Sequence, residues 1–277
     1  MQLDSPARTR FQALLEEPVL RLDLAALALA AEEYAGLDEA ASLARLDALA
    51  EQVRRRAPAP LRAATTLKAV RDVLFVDEGF QGNEKAYYDP RNSYLNEVLE
   101  RRLGIPISLS LLFMEVARRV GLTLEGVGFP GHFLVKLRPE LGPEIFIDPY
   151  NGGELLGADE CVARFKNAPN AREFDPRYLQ GVTSRQLLGR MLHNLKRIYV
   201  EQGDDVRAFW VIDRLLLLSP DAIDEVRDRG LVEARLGLKP AAARDLAAYL
   251  EREPGATDAS EVRELLATLR SRPALLN

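Results

Sequence analysis

Cysteine is almost missing from this chain: Cys161 is the single one in 277 residues. That excludes an internal disulfide and any cysteine-based metal site. Histidine is nearly as scarce, and His132 and His193 lie too far apart in the sequence to make a zinc site by themselves. There is no glycine-rich dinucleotide or phosphate loop and no HExxH pair, so neither a cofactor nor a metal is expected. No apolar run approaches the roughly 18 residues of a membrane span. The opening MQLDSPARTRFQ lacks the apolar core of a signal peptide. The expectation is a cytoplasmic protein with no membrane partner. An excess of positive charge is absent too: 37 Lys and Arg stand against 42 Asp and Glu, for a net charge of −5. That argues against a nucleic-acid partner, which calls for a basic face. The arginine clusters at 54–56, 101–102 and 118–119 read as solvated helix ends or faces, with phosphate binding as the alternative.

What is present is a soluble globular composition, 47% hydrophobic and 29% charged. The length suggests two domains, or one with an appendage. Residues 11–56 are rich in Ala, Leu, Glu and Arg. Leu24, Leu27, Ala28 and Ala31 mark one amphipathic helix, and Leu43, Leu46, Leu49, Ala50 and Val53 mark the next. Gly36 separates them, and the proline-marked RRRAPAPLRA (54–63) precedes a third helix.

From residue 70 the character changes. DEGFQGNEKAYYDPRN (77–92) is polar, aromatic and loop-like. A short helix is predicted from about Ser93 to Arg101. Gly104-Ile105-Pro106 then leads into ISLSLLFMEVARRVGL, a segment apolar almost all round in its first turns, which belongs inside a fold. Pro106 suits the first helical position and Gly121 the stop. Strands are predicted at 122–128, 133–137 and 144–147, the last two as an antiparallel hairpin across RPELGP. A hairpin centred on Glu140 puts His132 opposite Asp148, with Cβ atoms on the order of 5 Å apart; a slip of one residue would put them on opposite faces.

Residues 183–270 are helical again and repeat internally. Gly203 and Gly237, Ala208 and Ala242, and Pro220 and Pro254 are each 34 positions apart. Each unit reads helix, glycine turn, helix, proline, which matches the tetratricopeptide repeat; an ordinary α-hairpin pair is the alternative. Two units fall short of the three or so a solenoid core needs. They are therefore expected to dock on the central domain, with 258–270 as a capping helix.

The strings YYDPRNSYLNEVLERRLGIPISLSLLFMEVARRVGL, GVGFPGHFLVKL and FIDPYNGGELL, followed by these repeats, resemble a bacterial family. It is the transglutaminase-like plus tetratricopeptide-repeat family labelled a regulator of sirC expression. The same core is similar to a segment of a eukaryotic F-box protein. The resemblance implies a mostly helical α+β fold. N-terminal helices (1–68) pack on a papain- or transglutaminase-like core with a small antiparallel sheet (69–182), and tetratricopeptide helices follow (183–277).

In active members of that fold a cysteine opens the central helix, where the helix dipole and a histidine favour its thiolate. The histidine begins one strand and an aspartate on the next orients it. His132 and Asp148 match those two positions. The cysteine position does not match: it falls on Pro106, with Ser108 and Ser110 the nearest hydroxyls. Cys161 lies far downstream, on a predicted helix, and reads as a small buried apolar residue. Ser108 is either a substitute nucleophile or a partner for the free amides of the first turn. His132 and Asp148 are a catalytic pair, a binding pair or a hydrogen bond that holds two strand ends. Asn92 and Asn96 are cleft-facing amides or caps and turn formers. Asn151 belongs to a turn that would shape the rim of the same cleft. Tyr87 and Tyr88 either pack on the domain edge or stack on a ligand. His193 shows no acidic partner at useful spacing.

Two functions follow as expectations. The first is a non-catalytic interaction or regulatory protein that takes a protein or peptide in the repeat groove. The second is a serine-dependent acyl transferase, amidase or peptidase-like hydrolase using Ser108, His132 and Asp148. An indirect role in gene regulation, as the family label suggests, would involve no DNA contact.

Overall fold

Ser5 accepts a hydrogen bond from the Arg8 amide, and Pro6 enters the helix with its φ already set, so the chain is helical from its first described turn. The computed structural model describes residues 5–57, 62–139, 142–167 and 173–271. The proline-marked break at 58–61 and the hairpin centre at Glu140 lie outside the described residues. Two compact units divide the described chain between Met191 and Leu192.

The first unit opens with α1 (Pro6–Glu16), α2 (Leu22–Ala30), α3 (Glu39–Arg56) and α4 (Ala63–Arg71), the last running into a π-helical turn at Asp72–Asp77. Asp38 caps α3 through the Ala41 amide, and Arg54, Arg55 and Arg56 sit in its last turn, where a helix favours positive charge. A two-residue parallel pairing joins β1 (Gln81–Gly82) to β2 (Leu103–Gly104), with α5 (Leu95–Arg101) between them. Next comes α6 (Pro106–Arg119), with Pro106 at its first position as expected. It is buried on every side, from Pro106 through Phe113 and on to Ala117, and packs against α2, α3, α4, α5 and the sheet.

The sheet has β3 (Glu125–Val127), β4 (Leu134–Leu137), β5 (Ile145–Asp148), β6 (Glu154–Leu156) and β7 (Gly181–Val182), in the order β6-β5-β4-β3-β7, all antiparallel. α7 (Ala158–Lys166) follows β6. The β4–β5 hairpin pairs Val135 with Ile147, Lys136 with Phe146 and Leu137 with Ile145. This corrects the register predicted around Glu140, because every pair is displaced by two residues. A two-residue displacement leaves each side chain on its expected face. The short edge strands β6 and β7 have too few residues for their pattern to be readable in the sequence.

The second unit holds the later part of α8 (Ser184–Gln202), then α9 (Asp205–Leu218), α10 (Ile223–Arg235), α11 (Lys239–Arg252) and α12 (Ala259–Arg270). Gly203 and Gly237 occupy equivalent turns with φ of 70° and 77°, a left-handed conformation suited to glycine. At Gly230 a Cβ would lie 2.9 Å from the Leu246 side chain, so α10 and α11 approach closely there. Val262 of α12 joins Leu246 and Tyr249 in a buried cluster. Among the described residues no helix is long and apolar enough to cross a membrane.

One polar network interrupts the apolar packing of the first unit. Asp23, fully buried at the start of α2, accepts hydrogen bonds from Arg119 (2.6 Å), Arg118 (3.2 Å) and Arg21 (2.9 Å). Buried Glu115 accepts from the same terminal nitrogen of Arg118 and from the other arm of Arg119, each at 2.7 Å. Burial alone would raise the Asp23 carboxyl, but the bonds from Arg21 and Arg119 outweigh it and lower it to about 2. Its folded value lies below the ordinary 3.8, so its stabilisation is complete above pH 4 and lost as the pH falls toward 2. Asp23→Asn is expected to lose about 3 kcal/mol of urea-unfolding stability at pH 7, because it leaves the buried Arg119 guanidinium undercompensated. The wild-type and variant curves should converge near pH 2. A variant equal to wild type at pH 7 would contradict this.

Candidate functional site

His132 ends the GFPGH loop that leads into β4, and Asp148 closes β5 beside it. The loop is folded tightly: the Phe129 amide bonds the Val127 carbonyl at 2.9 Å, and the His132 amide bonds the Phe129 carbonyl at 3.0 Å. Arg190 of α8 donates to the carbonyls of Phe129 (2.8 Å) and His132 (2.7 Å) from one terminal nitrogen. Its guanidinium also lies over the Phe133 ring, 5.6 Å from the centroid.

Across the two strand ends, His132 Nε2 and Asp148 Oδ1 are 2.8 Å apart. Asp148 is buried and also receives the Asn151 side-chain amide on Oδ2 at 2.8 Å and the Asn151 backbone amide on Oδ1 at 3.3 Å. Arg164 of α7 approaches Oδ2 at 3.4 Å. Burial works to raise the Asp148 carboxyl, yet the bonds from His132 and Asn151 prevail and hold it below the usual carboxylate value. An ionised carboxylate only accepts hydrogen bonds, so Nε2 carries a proton, and in the neutral ring the lone pair is at Nδ1. Among the described residues Nδ1 has no hydrogen-bond partner. The ring is therefore set up as a base or as a hydrogen-bond acceptor.

Three tyrosines extend from the histidine. Tyr150 meets His132 edge to face at 5.9 Å, Tyr87 meets Tyr150 at 6.3 Å, and Tyr88 meets Tyr87 at 5.2 Å. Tyr87 and Tyr88 are 37% and 52% exposed. The Tyr150 ring lies so close over Gly82 that a Cβ there would come within 2.5 Å of it. Asn92 explains how the loop holds its shape. Its Nδ2 donates to the carbonyls of Ala86 (2.7 Å) and Tyr87 (3.2 Å), and its Oδ1 accepts from Asn83 at 2.9 Å. The Asn92 side chain is thus spent on fixing the loop that presents the tyrosines.

The remaining candidates divide. Ser108 is fully buried; its hydroxyl donates to the Asn92 carbonyl at 2.6 Å and accepts the Ile105 amide at 3.0 Å. Among the described residues it makes no hydrogen bond to His132. Buried Ser110 lies 3.5 Å from the Phe133 carbonyl, a long contact. Pro106 is buried at the start of α6. Asn96 has a buried Oδ1 with no hydrogen-bond partner. Asn151 orients Asp148. Cys161 is 1% exposed on α7 among Val127, Leu134 and Phe146, and burial pushes its thiol up to about 11, so it stays neutral. His193 corrects the expectation of no acidic partner: its Nδ1 lies 3.6 Å from Glu225 of α10. That partner comes from a distant helix, so no local spacing could reveal it. Sequence reading also missed Arg190 and Tyr150. The available signal for Arg190 was a cation beside the apolar residues Leu187, Leu188 and Met191, all buried.

In the second unit, α8 and α10 flank a groove of about 330 Å³. Val200, Leu231 and Val232 give it an apolar floor, while Lys196, Asp228 and Arg235 line it with charge. Lys196 is tied to Glu225 at 2.7 Å and to Asp228 at 2.5 Å.

Arg190→Ala would remove the guanidinium donor from two carbonyls of the histidine loop, leaving the Phe129 carbonyl with the His132 amide alone. It is expected to cost about 2 kcal/mol in urea unfolding and to speed hydrogen exchange at the His132 amide. Arg190→Lys should restore only part of the loss, since a lysine cannot reproduce the planar guanidinium. Unchanged exchange at His132 in the alanine variant would contradict the clamp.

Comparison with known proteins agrees with the fold. The model of the transglutaminase-like superfamily matches residues 40–193, and a tetratricopeptide-repeat model matches 195–267. A UPF0162 protein of Xylella fastidiosa is 39% identical over 265 residues, covering 93% of this chain and 92% of its own. One from Vibrio cholerae is 33% identical over 184 residues, covering 65% of this chain and 67% of its own. Human F-box only protein 21 is 32% identical over 185 residues, which is 63% of this chain but only 28% of that larger protein. With more than half of its length matched by that model, the chain belongs to the transglutaminase-like superfamily and carries tetratricopeptide repeats behind the matched domain.

Proposed function

We propose that this chain is a cytoplasmic interaction and regulatory protein, a transglutaminase-like domain that binds without transforming, joined to repeats that hold a protein or peptide partner. The observation that carries this reading is the state of Ser108. It is the nearest hydroxyl to Pro106, the position where an active member would have its thiol, yet that hydroxyl is fully buried and committed to Asn92 and Ile105. A nucleophile must reach its base within about 2.6–3.2 Å. The His132–Asp148 pair then serves as a rigid polar feature beside the exposed tyrosines rather than as half of a triad. Tetratricopeptide repeats generally mediate protein–protein contact, and the groove between α8 and α10 has the apolar floor and charged lining such contacts use. The proposed division is 1–68, 69–182 and 183–277, and neither nucleic acid nor membrane is a proposed partner.

The second reading, a serine hydrolase or acyl transferase built on Ser108, His132 and Asp148, draws its support from the 2.8 Å His132–Asp148 bond and the lone pair at Nδ1. A fluorophosphonate probe separates the two. The binding reading expects no labelling of the folded chain above that of Ser108→Ala. Labelling that disappears in both Ser108→Ala and His132→Ala would establish the hydrolase instead.

The groove has its own test. Val200 is 47% exposed, so Val200→Asp should fold normally while placing a charge on the apolar floor. Full-length protein used as bait is expected to retain specific partners, and the variant to lose them at least tenfold. Equal recovery by both would place the interaction elsewhere.

A further inference from the structure

Glu233, on α10, is 6% exposed, and its Oε2 is buried with no hydrogen-bond partner. Among the described residues its carboxylate joins no ion pair. Gly230, one turn earlier on the same face, brings α10 against Leu246 of α11 at a distance that leaves no room for a Cβ. The carboxylate therefore sits in a closed seam between two helices.

The charged groups facing that seam do not neutralise it. On α10 itself, Arg229 is the nearest cation, but its Nε and a terminal nitrogen both bond Asp245 of α11. Asp245 adds a second negative charge, and Arg244 of α11 acts on Glu233 only through its field. On α9, Asp213 and Arg214 are buried and paired with each other, and Asp213 also draws on Arg229. A buried carboxylate with no partner is costly when ionised and cheap when protonated.

We propose that Glu233 is a pH-responsive latch in the α10–α11 seam, closed when its carboxyl is protonated and loosened when ionisation draws water between the helices. Another face of α10 carries Asp228, Leu231 and Arg235 into the groove, so the latch also governs how firmly that wall is held. Burial first, and then Asp245, raise the Glu233 carboxyl from an ordinary 4.5 to about 7, against the opposing pull of Arg229 and Arg244. For an acid raised on folding, the folded state holds its proton longer than the unfolded state does. The seam thus loses stability as the pH climbs from about 4.5 to about 7, and the loss is complete above that.

Hydrogen exchange of the full-length protein at pH 6 and pH 8, corrected for the intrinsic pH dependence of exchange, reads this directly and needs no partner. Amides of 223–235 and 239–252 are expected to open about tenfold more at pH 8, and Glu233→Gln should abolish the difference. A wild type with no pH effect, or a Glu233→Gln variant that keeps it, would overturn the latch. Carbon-13 titration of the wild-type glutamate carboxyls gives a second reading that does not depend on the variant folding. One carboxyl changing near pH 7 supports the proposal, and none changing above pH 5.5 overturns it.

Discussion

The first unit is organised by the need to bury α6 on every side. An isolated helix exposes unsatisfied amides at its start and carbonyls at its end, and burial removes the water that would satisfy them. At the start the solution is Pro106, which has no amide to satisfy, together with Ser108, which serves Ile105 and Asn92. At the other end Arg119 is buried and Arg118 half-exposed, and the buried carboxylates of Asp23 and Glu115 meet both. The same demand that places the helix at the centre thus engages the Ser108 hydroxyl in the helix start.

That constraint connects directly to the site. Ser108 donates to the Asn92 carbonyl, and Asn92 in turn fixes the backbone of Ala86 and Tyr87. The helix start is therefore wired to the loop that presents Tyr87 and Tyr88, and Tyr150 continues the aromatic line to His132. Arg190 and Asp148 hold the histidine from two directions, one through its carbonyl and one through its ring. A preorganised wall of this kind suits recognition, because the side chains lose little freedom when a ligand arrives.

Much of this was legible before the fold was known. The apolar stripes of α2 and α3, the buried character of α6, and the repeat of 34 residues all follow from periodicities that local sequence carries. The His132–Asp148 pairing was legible as well, although the hairpin register was displaced by two residues. The displacement did no harm because parity, rather than exact register, decides which face a side chain takes. Long-range contacts were the illegible part. The Asp23 network joins residues nearly a hundred positions apart, Arg190 reaches back to the histidine loop, and Glu225 meets His193 from another helix. For Ser108 the sequence left two roles open, and only its partners in three dimensions weigh one against the other.

The most direct test places a better nucleophile at that position. In a Ser108→Cys variant, with wild type as the blank for buried Cys161, the rate of reaction with a disulfide reagent reports how accessible the helix start is. If the hydroxyl at 108 is structural, the new thiol reacts only as fast as the protein unfolds, and His132→Ala leaves that rate unchanged. Rapid reaction in the folded protein that depends on His132 would mean the position still faces a working catalytic pair.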